Sequence, residues 1–235
     1  MPTWNTHGKT NLKYINMTKL TEIAKKYNTD KGVSSNCEWN HGYTEIYDRC
    51  FSMYESPNIL EIGVLNGDSI FMYDDYYQGK CQIYCVDIED KSGLFTNMPN
   101  IHFYRLDQAS RSDWDKFNKT TKNVKFDIIL DDGGHHFNQQ IISLSKLHRR
   151  VGENGIYIVE DLQTSLTYGV SYNTLMLLNY FGTKHPNLNN YLTDDEFDEL
   201  CSDIKDVIIS NTKSIGHQDF FFNRSITSII TFNKQ

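Results

Sequence analysis

Apolar positions follow two rhythms along this chain. Between Pro57 and Asp161, short continuous apolar runs alternate with stretches of helical spacing. NILEIG (58–63), QIYCVDI (82–88), IHFYRL (101–106), KFDIILDD (125–132) and GIYIVED (155–161) predict five buried strands. Between them the spacing predicts a helix beginning near Asp68 and a short helix or loop before the third strand. A further helix over Ser110–Asn118 has Ser110 as cap and Asp113 at its third position. Phe137–Arg150 places Ile141, Leu144 and Leu147 on one face. Its basic residues sit at the C-terminal end, where the helix dipole favours them. Gly152 and Gly155 punctuate the chain before the fifth strand.

Upstream, Leu20, Ile23, Ala24 and Tyr27 have helical spacing behind a Thr18 cap. A polar loop, 28–40, leads to a second helix marked by Tyr43, Ile46, Tyr47 and Phe51. Residues 1–17 carry no period and are expected to be poorly ordered. Downstream, 168–181 is aromatic and helical in pattern. Phe197, Leu200, Cys201, Ile204, Val207 and Ile208 predict one helical stripe. The end, 217–232, predicts two strands around an Asn-Arg-Ser turn. Five strand–helix alternations and a closing hairpin imply an α/β fold: a doubly wound, mostly parallel, seven-stranded sheet with a terminal antiparallel hairpin. The expected organisation is the N-terminus 1–17, a helical segment 18–56, and an α/β domain 57–235.

Composition narrows the function classes. With 235 residues, 39% of them hydrophobic and 13% aromatic, the chain has enough apolar material for a substantial core. A net charge of -7 provides no general attraction to phosphate backbones, so no nucleic-acid partner is expected. No apolar run approaches the roughly 20 residues that span a bilayer, and the N-terminus has no apolar signal region. The five cysteines are scattered without zinc spacing. Together these imply a cytoplasmic protein with reduced thiols.

In a doubly wound sheet, ligands sit at the carboxyl ends of the strands. The first strand ends in Glu61-Ile62-Gly63-Val64-Leu65-Asn66-Gly67-Asp68-Ser69, a turn that lets backbone approach a ligand before a helix starts. It matches neither the dinucleotide nor the P-loop glycine pattern. The second strand ends in Asp87, where a carboxylate can accept both ribose hydroxyls of a nucleoside. The third ends in Asp107-Gln108, placed to read an adenine edge. These three ends resemble those of the class I, Rossmann-like methyltransferases. That resemblance implies S-adenosyl-L-methionine, held by Glu61, Gly63, Gly67, Ser69, Asp87, Asp107, Gln108 and Asp131. Leu65 departs from it, standing where many such enzymes have a glycine.

The fourth strand ends in Asp131-Asp132-Gly133-Gly134-His135-His136 and the fifth in Glu160-Asp161. Neighbouring strand ends lie about 5 Å apart, so Asp132, Glu160 and Asp161 can converge. Clustered carboxylates need a cation or protons to offset their repulsion. An all-oxygen set suits Mg2+, then Mn2+ or Ca2+. The two glycines bring His135 back to the same mouth as a general base, while His136 reads as a core histidine. A metal with a base beside it would make a sugar hydroxyl nucleophilic enough to attack a methyl sulfonium.

Taken together, NTDKG…HGYTEIYD, LEIGVLNGDS, DDGGHH and VEDLQTS, within about residues 20–165, resemble the macrolide sugar O-methyltransferases of the mycinamicin and tylosin type and their polysaccharide-cluster relatives. The resemblance implies metal ligands at Asp132, Glu160 and Asp161, catalysis by His135 with Asp132, and a sugar-containing small-molecule acceptor. It also implies a lid formed by the 18–56 segment, in which Lys31, His41 and Tyr43 contact the methionine moiety or the acceptor. A homo-oligomer is compatible with it. Three other readings stay open: a catechol-type phenol acceptor, an Fe(II)-dependent hydroxylase, and a non-catalytic module that keeps the cofactor fold. One histidine among three carboxylates disfavours the Fe(II) triad, which normally needs two.

Overall fold

Runs of Ile, Val and Leu set the sheet. A computed structural model describes residues 18–32, 40–166, 174–179, 186–213 and 224–233. The strands are β1 (Asn58–Ile62), β2 (Gln82–Asp87), β3 (Ile101–Arg105), β4 (Phe126–Asp131), β5 (Val151–Val159), β6 (Ile204–Lys213) and β7 (Arg224–Phe232). They form one seven-stranded sheet in the order β3-β2-β1-β4-β5-β7-β6. The first five are parallel, and β7 runs antiparallel between β5 and β6. The sheet reverses its winding between β1 and β4, where such folds open a crevice. Register makes that crevice a site. Val86, Ile62, Asp131 and Val159 lie side by side across β2, β1, β4 and β5. The residues that follow them therefore emerge together at one edge.

The helices are α1 (Lys19–Tyr27), α2 (Thr44–Phe51), α3 (Asp68–Tyr76), α4 (Arg111–Thr120), α5 (Phe137–Leu147), α6 (Thr174–Asn179) and α7 (Asp194–Asp203). Thr18 caps α1 and Ser110 caps α4, each accepting a backbone N–H from its third successor. Two apolar clusters cover the sheet. One gathers Trp114, Phe117, Leu144, Leu147, Leu177 and Leu200 from α4, α5, α6 and α7. The other gathers Leu20, Tyr47, Phe51, Ile70 and Tyr73 from α1, α2 and α3. The N-terminal helices thus share a core with α3.

Four expectations need correction. The helical stripe over 197–208 breaks at Asp203, and Ile204–Lys213 is β6. Cys201 to Ile208 keeps helical spacing, but Ile204, Val207, Ile208 and Ile209 are β-branched and fit a pleated edge better than a helix. Among the described residues the hairpin partner of β7 is β6, and Arg224 and Ser225, expected in the turn, begin β7. The fifth strand begins at Val151, and Gly155 lies inside it. A Cβ at Gly155 would sit 2.9 Å from the Phe126 carbonyl oxygen, beside a register shift between Phe126 and Ile128. A glycine within a strand often marks such a bulge. His136 is exposed, not core; its side chain caps α5 and Gln139 answers in a capping box. The expectations for 1–17, for 33–39 of the polar loop, for most of 168–181 and for 217–223 lie outside the described residues. Among the described residues no helix is long and apolar enough to cross a membrane.

Candidate active site

A cleft of about 600 Å3 runs along the strand ends, lined among others by Lys31, Gly63, Asp87, Asp107, Gln108, Asp132, His135 and Asp161. Gly63 makes the floor possible. Its φ is 90°, and a Cβ there would collide with the Asp132 carbonyl. Asp87 Oδ2 accepts from the Val64 N–H at 2.9 Å and Oδ1 from the Glu89 N–H at 2.9 Å, which ties the β1 and β2 turns together. Gly67 opens α3 as its N-cap, and Ser69 donates to Glu61 Oε2 at 2.7 Å. Asp107 lines the cleft, and its Oδ1 accepts from the Ala109 N–H at 2.8 Å.

Gln108 and Asp131 face inward. The Gln108 amide donates to Asp131 Oδ1 at 2.7 Å and accepts from the Gly134 N–H at 3.0 Å. Ser143 and Tyr157 donate to Asp131 Oδ2. Burial pushes the Asp131 carboxyl up, opposed by these hydrogen bonds. The pair braces the D-D-G-G-H turn from beneath. A side chain at Gly133 would strike the Gln108 amide, so any larger residue there would displace Gln108 from the turn it braces.

Lys31 is buried among acids. Its ammonium pairs with Asp132, with Glu160 at 2.8 Å and with Glu61 at 3.6 Å. Burial alone would lower its pKa, but Asp132 and Glu160 outweigh that and hold it well above the usual value. Burial, reinforced by Asp132 and opposed by Lys31, pushes Glu160 well up. Burial likewise pushes Glu61 up to about 7, with Lys31 opposing. Asp161 goes the other way: burial works to raise it, but His41, His135 and the Tyr43 hydroxyl hold it below the carboxylate range.

Ligand atoms of Asp132, His135 and Asp161 lie within 4.8 Å of one another. His135 Nε2 is 3.7 Å from Asp161 Oδ2. Both residues have left-handed backbone, φ 58° for His135 and 53° for Asp161. Neither is a glycine, and such conformations concentrate where side chains are aimed for function. Glu160 joins through Lys31, while its Oε1 is buried without a hydrogen-bond partner, as is His135 Nδ1. Carboxylates in excess of cations, a histidine, and orphaned polar atoms beside them fit a hard divalent ion.

Several participants were invisible in the spacing. Gln163 donates to Asp161 Oδ1 at 2.9 Å, and Ser225 on β7 shares a 2.6 Å hydrogen bond with the expected site residue His41. Ser143 and Tyr157 reach Asp131 from α5 and β5. Polar residues at core-facing positions of their elements were the available signal.

No family model matches the chain. Among curated proteins it is 30% identical over 156 residues to the 8-demethyl-8-alpha-L-rhamnosyl tetracenomycin-C 2'-O-methyltransferase of Streptomyces olivaceus, covering 62% of this chain and 38% of that protein. It is likewise 30% identical over 156 residues to the mycinamicin VI 2''-O-methyltransferase of Micromonospora griseorubida, covering 62% and 36%. The match thus spans under two-fifths of the length of these relatives. The MycE methyltransferase of the mycinamycin biosynthetic pathway, solved with Mg, SAH and mycinamycin VI, superposes with a TM-score of 0.68 at 23% identity. That superposition covers 93% of this chain and 56% of the other, and shows the shared fold. In sequence the chain is similar to these curated O-methyltransferases over three-fifths of its length, and in fold it is similar to the mycinamycin-pathway methyltransferase over nearly all of it.

Proposed function

We propose that the chain is an S-adenosylmethionine-dependent O-methyltransferase that methylates a sugar hydroxyl in the cytoplasm, assisted by Mg2+ or Mn2+. The observation that carries this reading is one cleft that joins the β1–β3 turns to the Asp132, His135 and Asp161 cluster. A cofactor bound along Gly63, Asp87 and Asp107 would direct its sulfonium methyl toward that cluster. Asp132 and Asp161, with Glu160 beside them, would hold the ion, leaving His135 free as the base. When bound, the ion supplies Lewis acidity that lowers the pKa of an acceptor hydroxyl. His135 would take the proton of the acceptor hydroxyl, and the bound cofactor would supply the sulfonium methyl group to that oxygen, with S-adenosylhomocysteine as the leaving group. Lys31 offsets part of the acidic charge from within the 18–56 segment, which acts as the lid. The acceptor class is supported by the curated relatives, one of them named for O-methylation of a rhamnosyl compound.

The test is a mass-spectrometric screen with isotopically labelled methyl donor against sugar nucleotides and glycosides, with Mg2+ and with EDTA. Labelled sugar in Mg2+ and none in EDTA is expected. Turnover that persists in chelator would remove the metal from the mechanism. Oxygen consumption with Fe(II) would replace the reading by a hydroxylase.

A further inference from the structure

Asp161 is held by an unusual clamp. Its side chain has two oxygens in unlike surroundings. Tyr43 donates to Oδ1 at 2.7 Å and Gln163 donates to the same oxygen at 2.9 Å. Oδ2 instead faces His135 Nε2 at 3.7 Å, on the side of the Asp132, His135 and Asp161 cluster. The Tyr43 hydroxyl also accepts from the Asp161 backbone N–H at 3.3 Å. One hydroxyl therefore grips both the carboxylate and the left-handed backbone that aims it.

Tyr43 itself has little freedom. Its side chain is fully buried, stacked 5.2 Å from His41 on one side and 5.8 Å from Tyr47 on the other. Its chain segment is paired to the one that carries Lys31: His41 N–H donates to the Asp30 carbonyl at 2.8 Å and Thr44 N–H to the Lys31 carbonyl at 3.1 Å. The two paired segments divide the acids between them. Lys31 takes Asp132 Oδ2 and Glu160 Oε2, and Tyr43 takes Asp161 Oδ1. Glu160 Oε1 is left buried and unpartnered. A carboxylate fixed by one oxygen presents the other in a single direction, which is how outer hydrogen bonds orient metal ligands.

We infer that Tyr43 is a positioning residue for the divalent cation: with Gln163 it locks Asp161 so that Oδ2 points into the ion site. This rests on the metal-assisted reading above. It assigns to the N-terminal segment a part in building the ion site, besides any part in covering the cofactor.

Tyr43→Phe keeps the ring and its stacking and removes only the hydroxyl. Mn2+ affinity, read by electron paramagnetic resonance or calorimetry, is expected to fall by about 10–100-fold, the usual range for losing an outer-shell partner. Affinity for S-adenosylhomocysteine is expected to stay at the wild-type value, while the melting temperature in EDTA falls modestly because the buried Asp161 carboxylate and backbone N–H lose a partner. A hydroxyl that served only packing would shift the melting temperature in chelator and leave Mn2+ affinity unchanged. Either unchanged Mn2+ affinity in Y43F, or losses of Mn2+ and S-adenosylhomocysteine affinity in equal measure, overturns the assignment. Should Y43F fail to fold, Gln163→Met removes the other donor to Oδ1, with the same expected and contrary outcomes. If the wild-type protein itself binds no Mn2+, the metal-assisted reading fails and takes this inference with it.

Discussion

Two adjacent histidines show how position sets role. His135 sits in left-handed backbone inside the cleft, 3.7 Å from Asp161. His136 is exposed and caps α5. His135→Ala is expected to lower turnover by roughly 10²–10⁴-fold, the range for losing a general base, with little change in cofactor affinity. His136→Ala is expected to turn over normally and to cost about 1 kcal/mol of stability, as lost helix caps do. Paired kinetics and denaturant melts check both, and an inactive H136A beside a normal H135A reverses the assignment. At this scale the sequence was informative about acids and poor about their partners. Asp132, His135 and Asp161 stand at strand ends, where fold and chemistry coincide. Tyr43 meets Asp161 only through a tertiary contact, which no spacing encodes, whereas Gln163 reaches it from two residues along the chain. Lys31 carried no sign that its ammonium would be buried among three acids.

Among the elements, α7 illustrates a helix start written plainly in sequence. Thr193 accepts from the Glu196 N–H, and Glu196 accepts from the Thr193 N–H at 3.0 Å, a complete capping box. Arg111 from α4 pairs with Glu196 and donates to the Tyr191 carbonyl at 2.9 Å, which fastens this helix to the sheet-covering layer. Burial works to raise Glu196, but the Thr193 N–H and Arg111 outweigh it and hold its carboxyl below the usual value. A depressed carboxyl contributes stability that is present above the unfolded value of about 4.3 and is lost as pH falls through the folded one. Glu196→Gln should therefore be less stable than wild type at pH 7, by about 0.5–1 kcal/mol after screening at this partly exposed pair. The two proteins should converge as pH falls below the unfolded value and through the lower folded one. A deficit that persists at low pH would mean the loss is packing, not charge. The other end of α7 was not legible. Cys201 and Ile204 continue the helical spacing, and only the contest between β-branched preference and period decides that Ile204 begins β6.

At the scale of the molecule, the alternation of buried runs and helical stretches was enough to give a doubly wound sheet, because continuous apolar strands need helices on both faces. Pairing order within the terminal region depended on which apolar stretch meets β7, and the local pattern pointed to a turn at Asn-Arg-Ser, whereas Ile204–Lys213 is the strand that pairs with it. The fold places three cofactor turns and the acid cluster in one cleft, so the account stands or falls on what that cleft binds. Thermal melting with S-adenosylhomocysteine tests this most directly. A ligand bound only by the native state stabilises it by about 2.7 kcal/mol at a hundred times its Kd. The account predicts a saturable rise in Tm with S-adenosylhomocysteine, no comparable rise with NAD or ATP, and loss of most of the shift in Asp87→Ala. A larger shift with NAD or ATP, or none with S-adenosylhomocysteine, would contradict it.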